Sequence, residues 1–419
     1  MADDAAHKLT PATSKPPHVP DGLVYDFDLY FDPGLLADPH ERILELLREA
    51  PPIFWTPRGG WWVMMGHEAD FEAGRDWELF TSQLMSPDQL RALNEARAPG
   101  TPKKRVSLPI GVDPPLHGVY RMPLNGAFSP KAVAKLKDDI RALAAELIEG
   151  VKPQGRCEFM STVAELLPVQ VFLKMMGVPL EQQGIYRALV KKFLENVDSA
   201  PEVIGRVSQG IVDTMTPVFL ERRENPQNDL ISLLWQTEIE GRATTMDDME
   251  NYGVLLFIAG LDTVMNGIGF GVRHLARDLP LQERLRQDPS LVGEASEELL
   301  RRYTFTVPVR TVTRDGAFQG VELKAGDRAL LFNPGADLDP RRWNDPARFD
   351  MDREDKTHIA FGSGPHRCLG SHLARVELQI LYEELVTRLP AFRLDPEKPP
   401  RFHGGHVIGV DTLDLVWTS

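Results

Sequence analysis

Apolar residues recur at helical spacing over most of the chain and at strand spacing in only a few places. Pro39 to Glu49 reads as an amphipathic helix. The apolar runs Pro51-Pro-Ile-Phe-Trp-Thr and Gly60-Trp-Trp-Val-Met-Met follow it, and the Arg58-Gly59-Gly60 break between them predicts a hairpin. Gln83 to Gly111 is rich in Pro, Arg, Ala and Lys, and reads as a long irregular loop of the kind that covers a site. From Pro130 to about Leu300 the pattern is helical with short breaks. Strand-like stretches return at Arg310–Thr313, Val321–Phe332 and His406–Trp417. The pattern predicts a mainly α chain with a minor β portion.

The longest apolar stretch, Gly253 to Phe270, belongs to a helix predicted from about Met246 to Leu279. Thr245 with Asp248 makes a capping box, Asp247 and Glu250 fall in the first turn, and Pro280 stops it. At about 1.5 Å per residue this helix is roughly 50 Å long, enough to cross a whole domain. Asp262 at its centre favours a buried core helix over a membrane span. Residues 1–22 read as a flexible arm: they are polar and Pro-rich, with no apolar core of a signal peptide and no anchor. No internal repeat and no Pro/Gly-rich linker divides the rest, residues 23–419.

Length alone, at 419 residues, suggests two or three domains. The balance of 47 basic against 61 acidic residues gives a net charge of −14, which argues against nucleic acid and against an anionic membrane as partners. The two cysteines, Cys157 and Cys368, are far apart. They fit a reducing cytoplasm, form no disulfide framework and are too few for a Cys-rich zinc or iron–sulfur site.

Cys368 lies in Phe361-Gly-Ser-Gly-Pro-His-Arg-Cys-Leu-Gly370. A thiolate that ligates iron needs a rigid Gly-rich loop whose backbone N–H groups face the sulfur, and a following helix whose positive end offsets its charge. Gly362, Gly364 and Gly370 supply the tight geometry, and Ser371-His-Leu-Ala-Arg-Val-Glu-Leu-Gln-Ile-Leu reads as that helix. A lone Cys in a Gly/Pro loop is as a rule structural. The spacing F-x-x-G-x-x-x-C-x-G is more than that: it resembles the haem-binding loop of the cytochromes P-450, with every defining position filled. The resemblance implies one domain with the cytochrome P-450 fold, haem b held by the Cys368 thiolate, and Phe361 over one face of the macrocycle.

Three further constellations resemble the same family. In Leu255-Leu-Phe-Ile-Ala-Gly-Leu-Asp-Thr-Val264, Thr263 can bond back to the carbonyl of Ala259 and open the helix locally, with room left by Gly260. An Asp-Thr pair in an apolar helix is costly without polar partners. This run matches the oxygen-activation signature A/G-G-x-D/E-T, which implies that Asp262 and Thr263 organise waters delivering protons to dioxygen as its O–O bond breaks. Glu298-Leu-Leu-Arg301 places an acid and a base one turn apart. It matches the E-x-x-R motif, and Arg348 in Trp343-Asn-Asp-Pro-Ala-Arg-Phe349 matches the third member of that buried network, whose implied role is to hold the Cys loop. His117-x-x-x-Arg121 after Asp113-Pro-Pro115, Arg310 and His366 match the cationic groups that meet the haem propionates.

The chain lacks a P-loop, a G-x-S-x-G elbow and an H-E-x-x-H pair. Gly267-Ile-Gly-Phe-Gly271 lies inside the long predicted helix, not after a strand, so it is no dinucleotide fingerprint. With no flavin or nicotinamide module in view, electrons come from elsewhere. The resemblance runs from about residue 30 to the C-terminus and looks closest to the bacterial camphor-hydroxylase branch. That branch implies a soluble cytoplasmic monomer fed by a 2Fe–2S ferredoxin and its flavin-dependent NADH reductase, with Arg121, Arg367 and Arg375 flanking the docking face.

Departures concern the substrate. No tyrosine occurs between Tyr30 and Tyr120, so the branch's ketone-binding tyrosine is missing, with Arg105 or a neighbour in its place. Pro308 stands where an acid helps hold a propionate. The implied pocket residues are Leu255, Ile258, Ala259, Thr306, Val307, His406 and Val407, which suit a small apolar terpenoid or norisoprenoid rather than camphor. Thr306 or His406 could anchor a ketone or hydroxyl, or simply be wall. Two rival readings are a peroxide-driven haem-thiolate enzyme and a haem sensor without turnover; the intact Asp262–Thr263 pair stands against both.

Overall fold

The computed structural model describes residues 9–98, 100–194 and 201–418. The fold is about 51% helical and 13% strand, as the periodicity predicts. The long helix is Met246–Arg277, with the Thr245–Asp248 capping box formed at its start. It ends at Arg277 because Asp278 caps the next helix, Leu279–Gln287, through the N–H of Leu281, so Pro280 opens a helix as well as closing one. By length and hydropathy the long helix could cross a membrane. It instead threads the interior, packed on the helices Leu166–Met176, Pro201–Glu224, Val292–Arg302 and Ser371–Arg388.

The main sheet takes the order Ile53–Thr56, Trp61–Met64, Arg328–Leu331, Val309–Val312, Phe80–Thr81. Only the Trp61–Met64/Arg328–Leu331 pair is parallel, and the expected hairpin joins the first two strands. A three-stranded sheet of Phe392–Leu394, Asp414–Trp417 and Arg156–Glu158 closes the opposite end. A separate ribbon, Arg401–His403 with Gly409–Thr412, lies against the long helix.

Two expectations about irregular segments need correction. The part of the expected arm that is described, residues 9–22, is held to the sheet. Thr13 N–H donates to the Pro57 carbonyl at 2.9 Å, His18 meets Asp327 at 2.9 Å, and Val19 is 1% exposed. An extended Pro-rich strap has no apolar period, so composition made it look free. Within the Gln83–Gly111 loop, Pro87–Glu95 is helical, started by a Ser86–Gln89 capping box with Pro at its first position. The rest of the loop is irregular and tied down: Arg105 pairs with Glu250 at 2.9 Å and Val106 N–H donates to Asn251 Oδ1 at 2.9 Å.

Candidate active site

The loop before Ser371 is built by two glycines in the left-handed region, Gly362 at φ 72° and Gly364 at φ 66°. At Gly364 a Cβ would lie 2.3 Å from the carbonyl oxygen of Gly74, so any side chain would push the loop off the helix His67–Arg75. Gly370, expected to serve the same purpose, has φ −79° and caps the helix Ser371–Arg388. Its contribution is an N–H directed at the Cys368 sulfur. The Cys368 N–H in turn donates to the Phe361 carbonyl at 2.8 Å, closing the loop. Burial pushes the Cys368 thiol up, against the Gly370 N–H and the charges of Arg121, Arg367 and Arg375. Cys157 is a buried core residue whose thiol burial pushes up to about 12.

Cys368 opens onto a cavity of about 300 Å³ between this loop and the long helix. Phe361, Gly370, His117, Arg121, Arg310 and His366 all reach its wall, so tertiary structure brings together every cofactor position read from the sequence. Four cations or potential cations thus share one apolar enclosure. His117 is 4% and Arg310 7% exposed. The rings of His117 and His366 lie 4.5 Å apart, and His366 Nε2 meets Asp113 at 3.0 Å. Burial, with the charges of His366 and Arg121, pushes His117 down to about 4, and burial also lowers Arg310 against the charges of Asp113 and Asp70. Buried cations demand counter-charge, and His366 Nδ1 on this wall has no partner among the described residues; nor do Asp70 Oδ2, Asn333 Oδ1 and Glu377 Oε2. An apolar macrocycle carrying two carboxylates suits this donor set, with the thiol on one side and cations at the edge.

Across the cavity stands the long helix. At about 100° per residue, Leu255, Ala259, Thr263 and Gly267 fall on one stripe, and all four line the wall. The Thr263 hydroxyl donates to the Ala259 carbonyl at 3.1 Å, as expected, yet the helix runs unbroken through this turn, so the expected local opening is absent. Nor is the room at Gly260 empty: a Cβ there would lie 2.7 Å from the Phe172 ring, which packs against the helix backbone. Asp262 is not on the stripe. It is 5% exposed, faces away from the cavity, and burial pushes its carboxyl up to about 6 with the charges of Glu165 and Asp411 adding and that of His403 opposing.

Of the seven expected pocket residues, Leu255, Ala259 and Thr306 line the cavity. The other four do not. Ile258 is about 100° round the helix from Ala259 and packs against the core. Val307 is fully buried, and Val407 pairs with Thr306 through the backbone. His406 Nδ1 sits 3.1 Å from the Val307 carbonyl, with its ring edge-on to Tyr30 and Trp61. The wall also contains residues that sequence reasoning missed: Asp70, Ile110, Phe128, Phe172, Asn333 and Glu377. Glu377, nine positions after the cysteine on its helix, is completely enclosed, and burial pushes it up to about 8. Two turns of helix after Cys368 were the signal that could have flagged it.

The E-x-x-R pair behind the loop is formed and buried: Arg301 Nε and Nη2 donate to Glu298 Oε2 and Oε1, each at 2.8 Å. Arg348 is not its third member. The Arg348 side chain is exposed, and only its carbonyl joins, accepting from Arg301 and Arg353. Arg353 supplies the third guanidinium, Nε to Glu298 Oε1 at 3.4 Å. The turn at Asp345, with φ 44°, sends Arg348 outward and returns the chain five residues later. Without periodicity in this loop, spacing could not give its register.

A family model described as Cytochrome P450 matches residues 169–411. The chain is 34% identical over 424 residues to a probable cytochrome P450 127A1 of Sinorhizobium fredii, covering 99% of each. It is 33% identical to a steroid C26-monooxygenase of Mycolicibacterium smegmatis, covering 89% of this chain and 91% of that one. With a linalool 8-monooxygenase of Pseudomonas putida it shares 28% identity over 90% of this chain and 95% of the relative. Among solved structures, CYP101J2 superposes with a TM-score of 0.86 at 34% identity, covering 97% of this chain and all of that one. With a thiol loop, a cation-edged cavity and a threonine-bearing helix in the arrangement described, and with relatives matched over nearly their whole length, the chain belongs to the cytochrome P450 family: it is a haem-dependent monooxygenase whose axial thiolate is Cys368.

Proposed function

We propose that this P450 hydroxylates a small, mostly apolar terpenoid or norisoprenoid. In the overall reaction substrate R–H, dioxygen, two electrons and two protons give R–OH and water. The observation that carries this reading is the cavity wall around Thr263: Leu255, Ala259, Phe128, Phe172 and Ile110 are apolar, and Thr306 with Asn333 forms a neutral polar spot on it. Such a surface excludes water from an apolar guest and offers one hydrogen-bonding handle. The similarity to a linalool 8-monooxygenase supports a guest of that size and class.

Bound haem supplies the activation of dioxygen. The chain's own residues do the rest. Arg310, Arg121, His117 and His366 would hold its two propionates, and an anion beside His117 would offset the burial and neighbouring charges that lower its pKa. Phe361 would pack against the group beside Cys368. Thr263 holds water at the reacting site through its hydroxyl, and Asp262 passes protons toward it. Electrons arrive from a 2Fe–2S ferredoxin served by a flavin-dependent NADH reductase. Arg121 and the exposed Arg367 suit its docking on the cysteine side; Arg375 is committed to Glu297 at 2.6 and 3.0 Å, so it takes no free part. The protein works as a cytoplasmic monomer.

The test is a panel of monoterpenes, norisoprenoids and a sterol added to the purified holoenzyme. A low-to-high-spin shift with the small terpenoids, followed by a product one oxygen heavier when a ferredoxin system is supplied, is expected. A shift confined to the sterol would overturn the substrate class and favour the activity named for the steroid relative.

A further inference from the structure

Asp262 faces the ribbon Arg401–His403/Gly409–Thr412, not the cavity. The ribbon is pinned to the helix at that level. Asn266, one turn after Asp262, donates to the Asp262 carbonyl at 3.1 Å and accepts from Val410 N–H at 2.9 Å. On the neighbouring strand His403 pairs with Gly409. Only glycine fits there: a Cβ at Gly409 would lie 2.4 Å from His403 Nε2 and 2.7 Å from Asn266 Oδ1. The Nε2 edge of His403 is therefore laid across Gly409 toward the helix turn of Asp262 and Asn266. Its other nitrogen, Nδ1, meets Asp411 Oδ1 at 2.7 Å.

Exposure falls along this line. The side chains of Asp411 and His403 are 44% and 40% exposed, whereas Asp262 is 5% exposed. Among the described residues the remaining charged group acting on Asp262 is Glu165, from the adjacent helical segment, and Glu165 is occupied by Arg187 at 2.5 Å. His403 is the described cation whose charge acts on Asp262, across a gap too wide for a direct ion pair. Burial lowers its pKa, but the Asp411 hydrogen bond and the charges of Asp411 and Asp262 more than offset this, so it lies above the ordinary value. Asp262, at about 6, is near enough to neutral pH to take up a proton and give it on.

We propose that His403, oriented by Asp411, is the solvent-side proton donor that recharges Asp262 during turnover. The inference rests on the reading of Asp262 as the carrier toward Thr263. The His403 imidazolium gives its Nε2 proton to a bridging water, which passes one on to an Asp262 carboxylate oxygen, and the neutral ring regains a proton from bulk water while Nδ1–H stays on Asp411. No electron or heavier atom moves. His403 and Asp411 are positioning and supply residues, remote from the reacting atoms.

The test uses holoenzyme with isotope-labelled histidine. The His403 titration, followed by NMR, is expected to lie above the ordinary histidine value and to fall by about half a unit or more in Asp262→Asn and in Asp411→Asn. Turnover is then read with linalool as the probe and a surrogate 2Fe–2S ferredoxin. In His403→Gln, product per NADH should fall several-fold, peroxide should rise and the solvent deuterium isotope effect should grow; Asp411→Asn should show the same in weaker form. An unshifted His403 titration in Asp262→Asn overturns the proposal without any turnover. If Asp262→Asn uncouples the reaction but His403→Gln does not, the His403 inference fails and the role of Asp262 stands. If neither variant changes coupling, both fall.

Discussion

Arg301 grips Glu298 with two parallel 2.8 Å hydrogen bonds, and both side chains are almost completely buried, at 1% and 3% exposure. The fork also reaches outward: Arg301 Nη1 donates to the Asp337 carbonyl at 2.8 Å, and Glu298 accepts from Asp350 N–H at 3.0 Å. It joins the helix Val292–Arg302 to the segment that runs into the cysteine loop. Removing one partner strands a buried charge, so Glu298→Ala should cost about 3–5 kcal/mol and most of the bound haem. Arg348→Ala should change stability by less than about 0.5 kcal/mol, as for other exposed sites. Denaturant midpoints and haem-to-protein ratios check the ordering, with Arg353→Ala falling between the two. Equal losses at Arg348 and Arg353 would contradict the geometry.

Gly364 and Gly370 flank the same cysteine but differ in what they tolerate. Gly364→Ala meets both a left-handed backbone and the Gly74 carbonyl, and should destabilise the loop by roughly 1–3 kcal/mol with loss of the thiolate-type carbon monoxide spectrum. At Gly370 a Cβ would sit 4.0 Å from the Cys368 sulfur, an ordinary contact, so Gly370→Ala should fold normally.

Among the described residues, Thr263 uses its hydroxyl on the Ala259 carbonyl alone. Thr263→Ala should therefore shift stability by less than about 1 kcal/mol. NADH consumption should persist while product falls and peroxide rises. Unchanged product yield would remove Thr263 from proton delivery.

Asp262 gives a pH signature. Its carboxyl is raised by burial to about 6 in the folded protein, above its value of 3.8 in an exposed setting. The folded state then binds more protons than the unfolded one between these values. This contribution is present in full below about pH 4 and is lost as pH rises through about 6. Asp262→Asn removes that loss, and should be the more stable protein at pH 7.5 by at most about 3 kcal/mol, with no advantage at pH 4. Unfolding curves at the two pH values decide it; an equal difference at both would mean that the carboxyl is not raised.

The wall makes a separate prediction. Ala259 is on the cavity stripe and His406 is behind it. Ala259→Leu should weaken terpenoid binding about tenfold, the effect of roughly 1.4 kcal/mol of overpacking. His406→Ala should alter fold stability more than affinity. Spectral titration and thermal unfolding of the two variants separate the roles.

Much of this was legible because the chemistry is short-range in sequence. The thiol, its two left-handed glycines and the capping glycine fall within nine consecutive positions, 362–370. Thr263 and Ala259, or Glu298 and Arg301, are one helical turn apart, so the helix alone sets their contact. Even a missed element had left its mark: Ser86-Pro-Asp-Gln89 is a helix start that the surrounding Pro and Lys obscured. The strap of residues 9–22 had no such mark, since it is held by backbone bonds to a hairpin 44 residues away.

The helical class, the long interior helix with its cap, the thiol loop and the cation set can be read from the residues alone, because each is written in a local period or a contiguous motif. Which arginine completes the Glu298 network, which pocket residues face inward, and the turn of Asp262 from the cavity toward the His403 ribbon emerge from packing. Those choices depend on loop register and on the packing of elements distant in the chain. Residues 262 and 403 are neighbours only because the Asn266–Val410 bond and the bare Cα of Gly409 let a ribbon lie flat on a helix.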